Sequence, residues 1–159
     1  MTENGDVTTQ DLHRWFFQAY LPNWAGVGAS ELDPEVMLTY WGVPMHIAGV
    51  GWLLTTEAAI DALRATQGEI KDSGYAHTSV IDYEITVYND AGGSVDAILS
   101  RRRLDESEIQ RVAAHFEIHR TRDGWRIVAV ATAAATANSV AEVWRRIAGP
   151  PPRERTGSA

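Results

Sequence analysis

The chain has 159 residues, of which 45% are hydrophobic, contains no cysteine and carries a formal net charge of −7. That length suits one compact domain with a core, and the missing cysteines exclude disulfides, thiolate nucleophiles and cysteine-ligated zinc. The acidic balance argues against a nucleic-acid partner, which needs cationic surface, and no apolar run reaches membrane-spanning length.

The polar, acidic start MTENGDVTTQ does not read as a secretory signal. A cytoplasmic protein is expected, with residues 1–8 and 149–159 disordered and 9–148 forming a single domain. Thr8 or Thr9 is placed to cap a first helix, in which Leu12, Trp15, Phe16, Ala19 and Tyr20 form an apolar stripe. Pro22 should end or kink it, and AGVGAS is turn-like. Asp33-Pro34-Glu35 is a strong helix start, a capping Asp followed by Pro at the first helical position. That short helix runs to about Tyr40, with Leu32 stapling Met37. WGVPMHIAGVGW is extended and glycine-rich. A third helix follows a cap at Thr55 or Thr56, buries Ala59, Ile60, Leu63 and Ile70, and is closed by Gly74.

From Tyr75 the period changes to two. Tyr75, His77, Ser79, Ile81, Tyr83, Ile85 and Val87 form the more apolar face of a long strand, which predicts that they point inward. NDAGG is a hairpin turn. The next strand, about 94–104, puts Val95, Ala97, Leu99, Arg101 and Arg103 on one face. After the polar turn DESEIQ, strand 111–121 has Val112, Ala114, Phe116 and Ile118 inside. RDG then turns into the last strand, WRIVAVAT, and NSVAEVWRRIAG predicts a final helix. Helices before a meander imply an α+β architecture, and a curved sheet wrapped on helices leaves a cavity on its concave side.

Residues 115–119, HFEIH, place two histidines and a glutamate on one strand face, a set that elsewhere binds metal. With Phe116 and Ile118 inside, that face points away from the core. His115 and His119 also lie about 13 Å apart along the strand, too far to share one zinc at bonds of about 2.1 Å. A polar outer face is the expectation, with no metal. Inward polar residues are better candidates, because a polar group on an apolar face needs a reason. These are His77, Arg101, Tyr20 at the end of the first helix's stripe, and His46, between Trp41 and Trp52. Histidine suits general acid–base work, tyrosine can donate to a carbonyl or developing oxyanion, and arginine can hold an anionic group.

The order of elements resembles the nuclear transport factor 2-like superfamily, in its SnoaL-like branch. The resemblance rests on the amphipathic first helix, DPEVMLTYW, TTEAAIDAL and RDGWRIVAV, and covers about residues 9–132. It implies an α+β cone, a curved mixed or antiparallel sheet around N-terminal helices with an internal pocket, and a homodimer. The superfamily includes ketosteroid isomerases, polyketide cyclases and dehydratases, most of which use acid–base chemistry without a metal or cofactor. By the same resemblance His46 falls near the general base of ketosteroid isomerase and Tyr20 near its oxyanion-binding tyrosine. Ala114 stands where that enzyme has a protonated Asp, which argues against steroid isomerisation as such.

The expectation is therefore a cofactor-free isomerase, cyclase or dehydratase acting on a hydrophobic, carbonyl-bearing small molecule of polyketide type. His46 would transfer the proton, with His77 as partner. Tyr20 and Tyr75 would polarise or orient the substrate oxygen, Trp24, Trp41 and Trp52 would form the apolar wall, and Arg101 and Phe116 would complete the binding surface. Two alternatives are a non-catalytic binder of a hydrophobic ligand and a dimeric interaction domain using the outer sheet face.

Overall fold

The computed structural model describes residues 3–25, 33–144 and 149. Three helical elements open the chain: α1 (Glu3–Arg14), a π-helical turn (Trp15–Tyr20) and α2 (Leu21–Ala25). They are followed by α3 (Pro34–Leu38), the hairpin β1 (Trp41–Ile47) and β2 (Gly51–Leu53), and α4 (Thr56–Asp72). Four long strands come next: β3 (His77–Asn89), β4 (Gly92–Arg102), β5 (Glu108–Thr121) and β6 (Gly124–Ala134). The six strands form one open sheet in the order β2-β1-β6-β5-β4-β3. All neighbours are antiparallel except β1 and β6, which run parallel. This is the expected α+β class, with the helices on one face of a mixed sheet.

Local chemistry explains the element starts. The Asp33 side chain accepts from the Glu35 N–H at 2.9 Å, and Thr55 Oγ1 accepts from the Ala58 N–H at 3.2 Å, capping α3 and α4. Gly74, at φ +79°, supplies the left-handed residue that closes α4. The first helix departs from expectation at both ends. It begins at Glu3 rather than at Thr8 or Thr9, so part of the segment expected to be disordered is helical. Pro22 does not end it either. The helix widens first, the Leu21 N–H reaching back to the Phe16 carbonyl, and then continues to Ala25. Asn23 Nδ2 donates to the Ala19 carbonyl at 2.8 Å, so the side chain satisfies an acceptor of the distorted turn.

The core lies between these helices and the sheet. Leu12 and Phe16 from the first helix, Met37, Met45 and Leu63 from the middle of the chain, and Ile118 and Ile127 from the sheet are sealed from solvent. Gly93 on β4 marks the closest approach: a β-carbon there would stand 2.6 Å from the Thr86 carbonyl oxygen and 3.0 Å from Leu12 Cδ2.

Two register shifts reset the alternation of side chains beside the cavity. They fall between Val80 and Asp82 on β3 and in the β5–β6 pairing between Glu117 and Ile118, where Val128 is the unpaired residue; further irregularities lie in β1 between Trp41 and His46, between Val87 and Asn89 and between Arg101 and Arg102. The β3 shift overturns one prediction. Tyr83, Ile85 and Val87 do share the inner face with Ala97, Val95 and Gly93, but upstream of the shift Thr78 and Val80 take that face, in register with Arg101 and Leu99. His77 and Ser79 are thereby turned outward.

After β6 the chain crosses the outer face of β3 and β4. Ala135 N–H bonds the Arg111 carbonyl at 3.0 Å, Arg111 bonds the Asn138 side chain, and Val140 N–H bonds Asp82 Oδ2 at 2.9 Å. Trp144 Nε1 donates to Asp96 Oδ1 at 3.0 Å. In place of the start of the predicted final helix there is only a 3₁₀ turn, Val140–Glu142. Asp82 and Asp96 hold the segment against the sheet, and buried Val140 covers the outer side of Ile98. The rest of that predicted helix and all of the tail except Gly149 lie outside the described residues, as do the AGVGAS loop beyond Ala25 and the Leu32 staple. Among the described residues no helix is long and apolar enough to cross a membrane.

The close contact at Gly93 yields a stability prediction. Gly93→Ala should press on the Thr86 carbonyl, disturb the β3–β4 pairing and crowd Leu12, and cost about 1–3 kcal/mol, read as a lower denaturant midpoint in urea unfolding.

Candidate functional site

A cavity of about 260 Å³ opens between the helices and the inner face of the sheet. Tyr20, Leu21 and Trp24 form one wall. Trp41 and Ile47 of β1, with Ala48 and Val50 of the following turn, form another, and Val50, 68% exposed, marks the mouth. The floor comes from the inner face of the central strands: Leu99 and Arg101 on β4, Val112, Ala114 and Phe116 on β5, and Val130 and Thr132 on β6. Thr66 of α4 adds a second hydroxyl.

Tyr20 is the anchor of the deep end. Its ring packs edge-on to Phe116 at 5.9 Å and Tyr40 at 5.8 Å, and stacks on Trp15 at 6.1 Å. Burial pushes its phenol well above the ordinary tyrosine value of about 10, and the nearby Trp41 indole offsets part of the rise. Tyr20 is therefore a neutral hydrogen-bond donor. The indole does not reach hydrogen-bond geometry with it: Trp41 Nε1 is buried with no acceptor among the described residues. An orphan donor in an apolar wall is costly unless a partner arrives.

Arg101 stands at the opposite end. Its Nη1 donates to Gln110 Oε1 at 3.0 Å. Burial lowers the guanidinium's pKa, while the neighbouring Tyr75 and Glu69 favour its charged form, and arginine stays cationic in proteins. It forms no ion pair among the described residues. Among the described residues lining the cavity there is no histidine, aspartate or glutamate.

The two histidines expected to carry chemistry lie elsewhere. On β1, Trp41, Met45 and Ile47 face inward, so the intervening His46 faces outward, in register with Ala129 and Trp52. Its ring meets Trp52 at 5.1 Å. Trp52 is 65% exposed and is no part of the apolar wall. His77, turned out by the β3 bulge, bonds Glu106 Oε1 at 2.9 Å through Nε2. Tyr75 is not a cavity residue either: its hydroxyl meets Thr78 Oγ1 at 2.7 Å, and its ring packs with Ile70, Ile109 and Trp24 beside Arg101. Tyr20, Trp24, Trp41, Arg101 and Phe116 are the predicted residues that the fold brings together. Thr132 and Thr66 escaped the sequence reading. Counting by twos from buried Trp125 and Ile127 puts Ala129 and Ala131 inside, and only the bulge at Val128 brings Val130 and Thr132 round.

HFEIH lies on the outer face as expected. His115 Nδ1 meets Asp96 Oδ1 at 2.8 Å, His119 Nε2 meets Glu117 Oε1 at 3.2 Å, and the Tyr88 hydroxyl donates to Glu117 Oε2 at 2.9 Å. The three side chains are thus engaged in a surface hydrogen-bond network, and among the described residues no group of three ligands is placed to hold a metal ion.

Residues 10–135 match a family described as NTF2-like protein (DUF6841). The chain belongs to that family. The fold comparison agrees. An NTF2-like protein with a cystatin-like fold from Novosphingobium aromaticivorans aligns with TM-score 0.58 at 18% identity, covering 83% of this chain and 85% of its own. A candidate scytalone dehydratase from Novosphingobium aromaticivorans aligns with TM-score 0.57 at 13% identity, covering 97% and 99%. A candidate dehydratase of the NTF2-like family from Streptomyces avermitilis aligns with TM-score 0.56 at 15% identity, covering 84% and 99%. At such identities the likeness is one of fold. A search among curated proteins finds no match.

The state of Tyr20 gives a pH prediction for this NTF2-like protein. Its folded-state pKa is raised, so its contribution to stability is intact below about pH 10, the value of an unfolded phenol, and is lost as the pH rises beyond it. Tyr20→Phe cannot ionise. Its stability should fall less steeply than that of the native protein between about pH 8 and about pH 11, as measured by urea midpoints.

Proposed function

We propose that the cavity binds a small hydrophobic molecule bearing an acceptor oxygen, and that binding rather than histidine acid–base catalysis is its primary task. The observation that carries this reading is the lining: apolar walls with two buried donors, Trp41 Nε1–H and the Tyr20 hydroxyl, converging at one end. Pockets of this kind fix a ligand by apolar area and orient it with a few polar groups. At about 260 Å³ the space is small, just below the roughly 300–1,000 Å³ of drug-sized sites, and suits one or two fused rings.

A catalytic use of the same cavity, in the manner suggested by the candidate dehydratases of similar fold, would rest on Tyr20. A neutral phenol beside an indole N–H can donate to a carbonyl whose oxygen gains charge in the transition state. His46 and His77 face away from this space and have no part in either version.

The probe is 2-naphthol, followed by titration calorimetry. Saturable binding is expected for the native protein. Trp41→Phe, which removes one hydrogen bond and keeps the ring, should weaken it up to about tenfold. Ala114→Phe, which fills the floor, should abolish it. Unchanged affinity in Ala114→Phe would place the ligand somewhere other than the cavity.

A further inference from the structure

Resting on that binding reading, the geometry points to the class of ligand: we propose that it is a hydrophobic monocarboxylate whose charged end sits on Arg101 and whose far end presents an oxygen to Trp41 and Tyr20. Three observations converge. Arg101 lines the cavity as a partly buried cation with no ion pair among the described residues, and only its Nη1 is engaged, by the neutral Gln110 side chain. A guanidinium carries five N–H donors in a planar fork that matches a carboxylate, so most of its donors remain for a ligand. A neutral ligand closing the cavity would strip water from this charge without replacing it, whereas an anion would compensate it.

The second observation is the Trp41 Nε1–H in the opposite wall, buried near the Tyr20 phenol and without a hydrogen-bond partner among the described residues. The third is the arrangement of the sheet. Arg101 pairs with Gln110 on β5, while Trp41 is in register with Ile118 on β5 through Ile127. These positions are about 26 Å apart along the strand. The long Arg101 and Trp41 side chains close part of that distance, and the stretch between is paved by Val112, Ala114 and Phe116. A rigid ring system with a carboxylate at one end and a hydroxyl or keto oxygen at the other satisfies both ends and the apolar middle. Glu69 near Arg101 moderates the site without occupying it.

The test uses a matched pair, 6-hydroxy-2-naphthoate and its neutral amide, titrated into the full chain by calorimetry at neutral pH. The acid should bind at least tenfold more tightly than the amide. In Arg101→Met that ratio should collapse to about one, Arg101→Lys should keep part of it, and Glu69→Gln should raise it by removing a competing negative charge. Melting temperatures confirm that each variant is folded. If Arg101→Met does not fold, the Lys and Gln variants decide the matter alone. Equal affinity for acid and amide in the native protein, or a ratio that none of the variants changes, would overturn the carboxylate assignment while leaving a neutral-ligand pocket in place. Failure of both probes and of 2-naphthol to bind would overturn the binding reading and this inference together.

Discussion

Side-chain alternation across the sheet, and the offsets at Val80–Asp82 and Val128 that reset it, decide which polar groups of the central strands reach the cavity. A strand sends successive residues to opposite faces, and one face here is packed on helices while the other is not. A single inserted residue therefore moves everything beyond it from cavity to surface. The Val80–Asp82 bulge puts Thr78, Val80, Leu99 and Arg101 on one strip and expels His77. The shift at Val128 exchanges Ala129 for Val130 and brings Thr132 beside Ala114. On β1, unbroken alternation puts Trp41, Met45 and Ile47 on the inner face at the sheet's parallel junction and leaves His46 outside. The cavity's contents follow from these offsets.

The helices supply the other half of the site by an equally local device. A regular helix carrying Pro22 would kink or lose a hydrogen bond at the Gln18 carbonyl's level. Widening the turn at Trp15–Tyr20 lets the chain continue to Ala25. Phe16 and Tyr20 stay in the core while Leu21 and Trp24 reach the cavity wall. The rings of Phe16, Tyr20 and Phe116 lie within 4.9–5.9 Å of one another, joining helix and sheet directly above the cavity. Close helix seating also requires the missing side chain at Gly93. The tight packing that seals the core and the open space beside it arise from the same few aromatic contacts.

Much of this is legible in the sequence, and the failures trace to offsets, partners and tertiary contacts that lie outside local periodicity. The caps at Asp33 and Thr55, the apolar stripe of the first helix, the inner faces of β4 and β5 and the outward turn of HFEIH all follow from unbroken periodicity, and the structure reproduces them. Arg101 and Phe116 are legible because each sits on a strand whose phase is constant up to that residue, and Tyr20 because it ends the first helix's apolar stripe; Trp24 lies beyond the widened turn, and only its aromatic character points to it. His77 was misplaced because it lies on the far side of a bulge that leaves no glycine or proline signature. His46 is misplaced because its position between Trp41 and Trp52 says nothing about its face; alternation from Trp41 turns it outward, as the structure does. Trp52 failed for a different reason: an exposed tryptophan and a cavity tryptophan look alike until their partners are known. The start of the final helix is overridden by tertiary contacts, since Asp82 and Asp96, 58 and 48 positions before their partners, hold that segment against the sheet.

What remains is an electrostatic asymmetry that bears on chemistry more than any fold likeness does. The protein as a whole is acidic, at −7, yet the cavity concentrates donors: an indole N–H, a phenol held neutral by burial, the Thr132 hydroxyl and a guanidinium. Among the described residues no carboxylate or histidine lines the cavity; several are engaged on the outer face, in the Asp96–His115 and Glu117–His119 pairs and on the strap that crosses β3 and β4. A space walled by apolar groups and furnished with donors selects for acceptors, and a low-dielectric setting strengthens that preference at each polar contact. Among the described residues lining the cavity, no histidine or carboxylate is placed to take a proton. A carboxylate ligand would meet this condition from both directions, satisfying the cation and carrying the only basic oxygens in the described cavity.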